Sequence, residues 1–348
     1  MQKKDVLNLI KYHYENKEFD FKEQAIRIAK DFEKNDDIEL SQYIMGIISE
    51  NNNFVPQLRQ EYKNEENIQY FKKVEANNTP FPLPDSISED LKGMLNAIQK
   101  DVGVNKFLLV GPPGTGKTES VKHIARLLDR KLMMLNISEL IDSSLGKTSK
   151  NIKEMFNVMN RISSPKRYIF LIDEIDSIAL DRINDNDLRE MGRATSTLLT
   201  ELDSLNPKLT LIATTNLESK MDSALKRRFD AIINFNRYKK SDLVKIGEIL
   251  LDYYLKEFGI SKKSEKTFCK ILKNVDKLPY PGDLKNKIRT SLAFSDPNNN
   301  TEYLRRFMEQ LCSKVPSIEK LHLDGFTIRE IESLTGKSKS TISRILNQ

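Results

Sequence analysis

The sequence is short of the residues that staple or metallate a fold: two cysteines, Cys269 and Cys312, and three histidines in 348 residues. A disulfide scaffold is thereby excluded, and so is a Cys/His structural zinc site. No apolar run approaches the roughly 18 residues of a membrane-spanning helix. The opening MQKKDVLNLI lacks the apolar stretch of a secretory signal. The expected location is a reducing cytoplasm. Charge of one sign is missing too: 56 Lys and Arg against 50 Asp and Glu give +6, too even a balance to announce a nucleic-acid binder. What is present is a soluble, globular composition, 39% hydrophobic and 30% charged. The length suits two or three domains at roughly 100–200 residues each.

Residues 1–50 read as a small helical domain of three segments, VLNLIKYHY, FKEQAIRIAKDF and IELSQYIMGII. Leu7, Ile10 and Tyr14 share one helical face, and Phe21, Ala25, Ile28 and Phe32 share another. Residues 51–85, rich in Asn, Glu and Lys and closing on three prolines, read as a linker with one short helix, which places a domain boundary near residue 80. From 86 to 240 short apolar strands (KFLLVG, KLMMLN, YIFLID, LTLIATT, AIINF) alternate with helical patterns. That alternation predicts an α/β domain with a parallel sheet buried on both faces. From 241 to 295 the strands stop and three helices follow, and 296–348 reads as a further helical region.

Gly111-Pro112-Pro113-Gly114-Thr115-Gly116-Lys117-Thr118 follows an apolar strand and opens a helix. This is the phosphate-loop pattern. Its glycines let backbone N–H groups turn toward phosphate oxygens, and the helix N-terminus adds its positive end. Lys117 is placed to reach the β- and γ-phosphates and Thr118 to hold Mg²⁺. The strand YIFLID ends in Asp173 and Glu174. The first is a metal-supporting carboxylate and the second a general base for water. Asn216, after another buried strand, is a candidate for the γ-phosphate or the attacking water. For Arg227 and Arg228 in DSALKRRFD two readings stand open: a solvated pair, or an arginine finger offered to a neighbouring subunit.

Together these segments resemble the AAA+ ATPases, in particular the AAA type, over about residues 86–295. GPPGTGKT resembles Walker A, FLIDEID Walker B, ATTN the sensor-1 strand, and ATSTLLTELD through ALKRRFD the second region of homology. The resemblance implies ATP hydrolysis with Mg²⁺ in a self-assembled ring, usually a hexamer, with 241–295 as a helical lid and Arg228 as the finger. The second finger position holds Ala231. The sensor-2 position reads Gly282-Asp283-Leu284-Lys285, making Lys285 a nucleotide-binding candidate. Peptide-threading members carry an aromatic, an apolar residue and Gly in the central pore; Ser144-Leu145-Gly146 stands here instead. The missing aromatic favours local remodelling of a partner over processive unfolding.

Residues 318–348 hold three short helical patterns, with a capping box at Thr327 and Glu330 and a turn at Gly336. They resemble the helix-turn-helix of resolvases. The resemblance directs Lys337, Ser338, Lys339, Ser340, Thr341 and Arg344 toward DNA. A protein-docking trihelix is the other reading, since five basic residues meet four acidic ones in this stretch. The first fifty residues resemble the N-terminal segment of bacterial AAA ATPases paired with subtilisin-like serine proteases in toxin–antitoxin or antiphage defence systems. Two functions follow as expectations: an ATPase controlling such a protease, or a DNA-directed ATPase of plasmid maintenance, transposition or replication.

Overall fold

The structure is a computed structural model that describes residues 3–15, 17–34, 41, 44–45, 70–74, 80–141, 147–180, 185–217, 221–296, 299, 301–312 and 315–347. It divides into two compact units, Met1–Gln69 and Tyr70–Gln348. In the first, helices Lys3–Tyr14 and Glu18–Lys34 pack together. On the second helix Ala25 and Ile28 of the predicted face are buried and Phe21 and Phe32 half-buried, with Ala29 buried beside them, but on the first Leu7, Ile10 and Tyr14 stand exposed. The face read from α-helical periodicity on the first helix is therefore not the one it buries. The third segment, 38–48, lies largely outside the described residues.

The second unit is built on a six-stranded sheet in the order β1-β3-β4-β5-β2-β6. The strands are β1 (Lys72–Val74), β2 (Lys106–Val110), β3 (Lys131–Asn136), β4 (Tyr168–Asp173), β5 (Thr210–Thr215) and β6 (Ala231–Asn234). The last five are parallel, as the strand–helix alternation requires. The sheet is mixed rather than wholly parallel, because β1 adds antiparallel to β3 at one edge. Its three residues lie in the stretch read as linker and are too few to show any period. Two of them are exposed lysines, which keep an edge strand from pairing with other chains.

Strand alternation feeds two faces. Phe107, Leu109, Ile169, Leu171 and Ile212 pack with Ile87, Met94 and Ile98 of helix Asp85–Lys100 and with Val121 and Ile124 of helix Lys117–Leu127. Leu108, Phe170, Leu211 and Ala213 point the other way and are buried as well. Burying each such Leu or Phe contributes roughly 1.5–3 kcal/mol. In this parallel arrangement Val110 pairs with Thr215 and Ile172 with Ala213, so the functional strands all end at one edge of the sheet.

Helices Lys240–Phe258, Glu265–Asn274, Pro281–Ala293 and Glu302–Cys312 follow, then the short helices Ile318–Leu323, Ile328–Thr335 and Lys339–Leu346. One hydrophobic core runs from Leu243 through Phe268, Phe307 and Leu321 to Ile342. The segments 241–295 and 296–348, read from sequence as a helical lid and a further helical region, thus share a core. Glu330 ties them further: Lys270 Nζ lies 2.8 Å from its carboxylate and Thr267 Oγ1 donates to it at 3.1 Å. The short helices start where their caps are. Ser317, Thr327 with Glu330, and Ser338 each cap one, and Gly336 ends the second with φ 71°. Among the described residues no helix is long and apolar enough to cross a membrane.

Candidate nucleotide site

The phosphate loop turns out of β2 and closes at Gly116, the N-cap of helix Lys117–Leu127. Residue 116 has to be glycine for two reasons. Its φ is +93°, and a Cβ built there would fall 2.2 Å from the Phe81 ring. Lys117 is buried and donates from Nζ to the carbonyls of Gly111 (2.7 Å) and Pro112 (2.9 Å) and to Asn216 Oδ1 (2.7 Å). Burial pushes its pKa down to about 8, against the pull of the nearby carboxylates of Asp173, Asp176 and Glu174.

Thr118 Oγ1 donates to Asp173 Oδ1 at 3.2 Å, so two hard oxygen ligands stand side by side. Thr214, which sequence reading passed over, organises the acidic pair. Its hydroxyl donates to the Asp173 carboxylate, and it accepts the Glu174 N–H at 3.1 Å. Glu174 sits at φ 54°, a left-handed conformation that costs a non-glycine residue roughly 1–2 kcal/mol and is concentrated at functional sites. Its side chain is exposed toward the pocket it lines. Asn216 is fixed through its backbone, its N–H donating to Asp176 Oδ1 at 3.3 Å.

These groups line one cavity of about 300 Å³. Its polar wall carries Lys117, Thr118, Asp173, Glu174, Asn216 and Lys285; its apolar wall carries Phe81, Pro82, Ile246, Leu250 and Pro281. A phosphate cradle beside an apolar slot suits a nucleoside phosphate, and the Thr118–Asp173 oxygens suit Mg²⁺. Phe81, Ile246 and Leu250 were not foreseen; their spacing signals burial, and nothing in the sequence says against what.

The remaining sequence-predicted residues stand apart from this cavity. Arg228 is held within its own chain, its guanidinium 3.2 Å from Asp203 Oδ2 and donating to the Ala224 carbonyl at 3.2 Å. Arg227 beside it is exposed. Lys337, Ser338, Lys339, Ser340 and Arg344 are exposed in the C-terminal helices and Thr341 is half-buried. Ser338 is occupied in capping, 3.4 Å from the Thr341 N–H, and Lys339 lies 3.5 Å from Glu332. Ser144-Leu145-Gly146 lies outside the described residues.

Residues 107–237 match the family described as ATPase family associated with various cellular activities (AAA). An uncharacterized AAA family ATPase of Sinorhizobium fredii is 35% identical over 133 residues, 38% of this chain and 39% of that protein. A proteasome-activating nucleotidase of Saccharolobus islandicus is 33% identical over 178 residues, 46% and 44% of the two chains. The ATPase family gene 2 protein of Saccharomyces cerevisiae is 31% identical over 191 residues, 48% of this chain and 24% of the relative. The chain thus spans less than half the length of each of these three curated relatives. The phosphate loop, the acidic strand end and the Asn216 strand all fall inside the matched segment, and residues 107–237 constitute an AAA family ATPase domain.

Proposed function

We propose that this protein hydrolyses ATP with Mg²⁺ and uses the cycle to move its lid against its core, thereby remodelling a bound partner protein. The observation that carries the reading is the convergence of Lys117, Thr118, Asp173, Glu174 and Asn216 on one cavity with an apolar wall. Lys117 supplies positive charge at the phosphate loop. Thr118 and Asp173 would hold Mg²⁺, which when bound neutralises phosphate charge. Glu174 orients a water and takes its proton, a role typically worth 10²–10⁴-fold. Asn216, hydrogen-bonded to Lys117, reads whether that lysine is engaged elsewhere. Lys285 approaches from the lid.

The active form in this reading is a ring, a hexamer by family resemblance, in which Arg228, with Arg227 in support, reaches a neighbour's site. Arg228 leaves Asp203 to do so; Arg227, exposed already, has less to give up. The partner is a protein, and the resemblance of the first fifty residues nominates a subtilisin-like protease of a bacterial defence or toxin–antitoxin pair. A relative named for activating a proteasome supports a protein target. A second reading, DNA-directed action through the C-terminal helices, rests on the exposed run of Lys337, Ser340 and Arg344 on a surface whose last helix carries no acid.

Phosphate release from ATP by the full chain tests the enzyme reading, with Glu174→Gln expected to bind ATP and lose turnover. Turnover at the wild-type rate in that variant would remove Glu174 from its role. Mixing Arg228→Ala with Lys117→Ala tests action in trans through recovered hydrolysis. Isolating tagged Glu174→Gln from cells with its bound material separates the two outputs, a protease favouring the first and DNA the second.

A further inference from the structure

The phosphate loop is gripped from the lid side at two successive carbonyls. The Tyr238 hydroxyl donates to the Thr115 carbonyl at 2.7 Å, and the Gly282 N–H donates to the Gly114 carbonyl at 2.8 Å. A trans peptide is planar, so its C=O and the following N–H point in opposite directions. Drawing the Gly114 and Thr115 carbonyls toward the lid therefore aims the N–H groups of Thr115 and Gly116 the other way. Among the described residues neither of those two amides has an acceptor.

Tyr238 stands where such a grip would be informative. It lies between the end of β6 at Asn234 and the start of helix Lys240–Phe258, the junction of core and lid. Among the described residues it is the one side chain packed against both the sheet core and the lid core. Its ring meets Tyr280 edge-on at 6.0 Å, and Tyr280 is the N-cap of helix Pro281–Ala293, which carries Gly282. Gly282 presses closely on the loop: a Cβ there would lie 3.0 Å from the Gly114 Cα and 3.1 Å from its carbonyl oxygen, so the loop would have to give by a few tenths of an ångström.

We propose that Tyr238 and Gly282 are positioning residues that aim two phosphate-binding amides of the loop and so link phosphate affinity to the seating of the lid. This rests on the nucleotide reading above. The link is reciprocal by necessity: if a seated lid favours phosphate, phosphate favours a seated lid. Neither residue touches the phosphate in this account; both act through the loop.

Tyr238→Phe keeps the ring between the two cores and removes one grip. With Mg²⁺ present, a fluorescent ADP analogue should bind the full-length variant about five-fold more weakly, the equivalent of one hydrogen bond. The thermal midpoint of the nucleotide-free protein should fall by only about 2–4 °C, the cost of one hydrogen bond, so the variant remains folded. Inorganic pyrophosphate, which has no base, should lose the same factor as a competitor, because the hydroxyl acts on phosphate amides; a purely packing role would not produce that match. Gly282→Ala, which presses a methyl against Gly114 and displaces the loop, should weaken binding by about ten-fold. Wild-type affinity in Tyr238→Phe, or a loss confined to ADP and absent for pyrophosphate, would overturn the proposal. Failure of the wild-type chain to bind either probe would overturn the nucleotide reading itself, and this proposal with it.

Discussion

The sheet half and the helical half of the second unit place their functional groups by different rules. In the sheet half, the candidate site residues sit where strands end: the phosphate loop after Val110, Asp173 as the last residue of β4 with Glu174 next to it, Asn216 after β5. Parallel pairing gathers those ends at one edge, so the chemistry is concentrated by topology. In the helical half, residues are chosen for faces. Leu243, Phe268, Leu284, Phe307 and Leu321, one from each of five helices, are buried in one core, and a few positions, Ile246, Leu250, Gly282 and Lys285, acquire a role from what the face presses against. Strand ends in a buried sheet have no packing reason to be polar, so polar residues there advertise function. A helix face advertises only that something covers it.

The largest effect expected on binding is in the sheet half. Lys117→Ala should weaken nucleotide binding on the order of 100-fold, read by titration with a fluorescent ADP analogue. Retained affinity would mean that the strand-end cluster is not the binding site, and the contrast would collapse. Next comes the helical half, where Phe326→Ala should destabilise by about 3–5 kcal/mol. Because Phe326 lies in the core shared by lid and C-terminal helices, hydrogen exchange should show both loosening together while the sheet stays protected. Loosening confined to residues 318–347 would show that the C-terminal helices fold on their own account.

The phosphate loop, the Asp173–Glu174 pair, Asn216 and the alternating strands were legible because each rests on residue type at fixed spacing. So was the capping box at Thr327 and Glu330, which the structure realises as read. The antiparallel β1 was not, because Lys72–Val74 is too short to carry a period. The shared core of lid and C-terminal region was also hidden: periodicity marks Ile331 and Leu334 as buried without naming their partners. Tyr238 and Phe81 carry no motif at all, and their importance comes from long-range approach to the phosphate loop. Thr214 is an intermediate case, a polar residue on a buried strand whose unusual placement was available as a signal.

A smaller effect probes the seam between lid and C-terminal helices. Burial pushes the Glu330 carboxyl up, but Lys270 and Thr327 outweigh it and hold the group below its ordinary value of 4.5. A carboxyl more acidic in the folded state contributes stability above that ordinary value and loses it as pH falls through the folded one. Glu330→Gln should therefore cost about 1 kcal/mol at neutral pH and progressively less as the pH falls below that ordinary value, as measured by urea midpoints. A gap that stays constant with pH would show that the ion pair does not fasten the seam. Smallest in perturbation is Phe81→Trp, which places a single tryptophan in a chain that has none. Its emission should shift when ADP and Mg²⁺ are added, because residue 81 lines the cavity against Gly116. An unchanged spectrum under saturating ADP would remove Phe81 from the site.

Hydrogen exchange on the full chain, with and without ADP and Mg²⁺, addresses the account as a whole. The predicted result is added protection at 111–118 together with 235–238 and 281–285, the loop and its two lid-side grips gaining it at the same nucleotide concentration. Protection confined to 111–118, with the lid segments unchanged, would contradict the claim that the lid holds the phosphate loop.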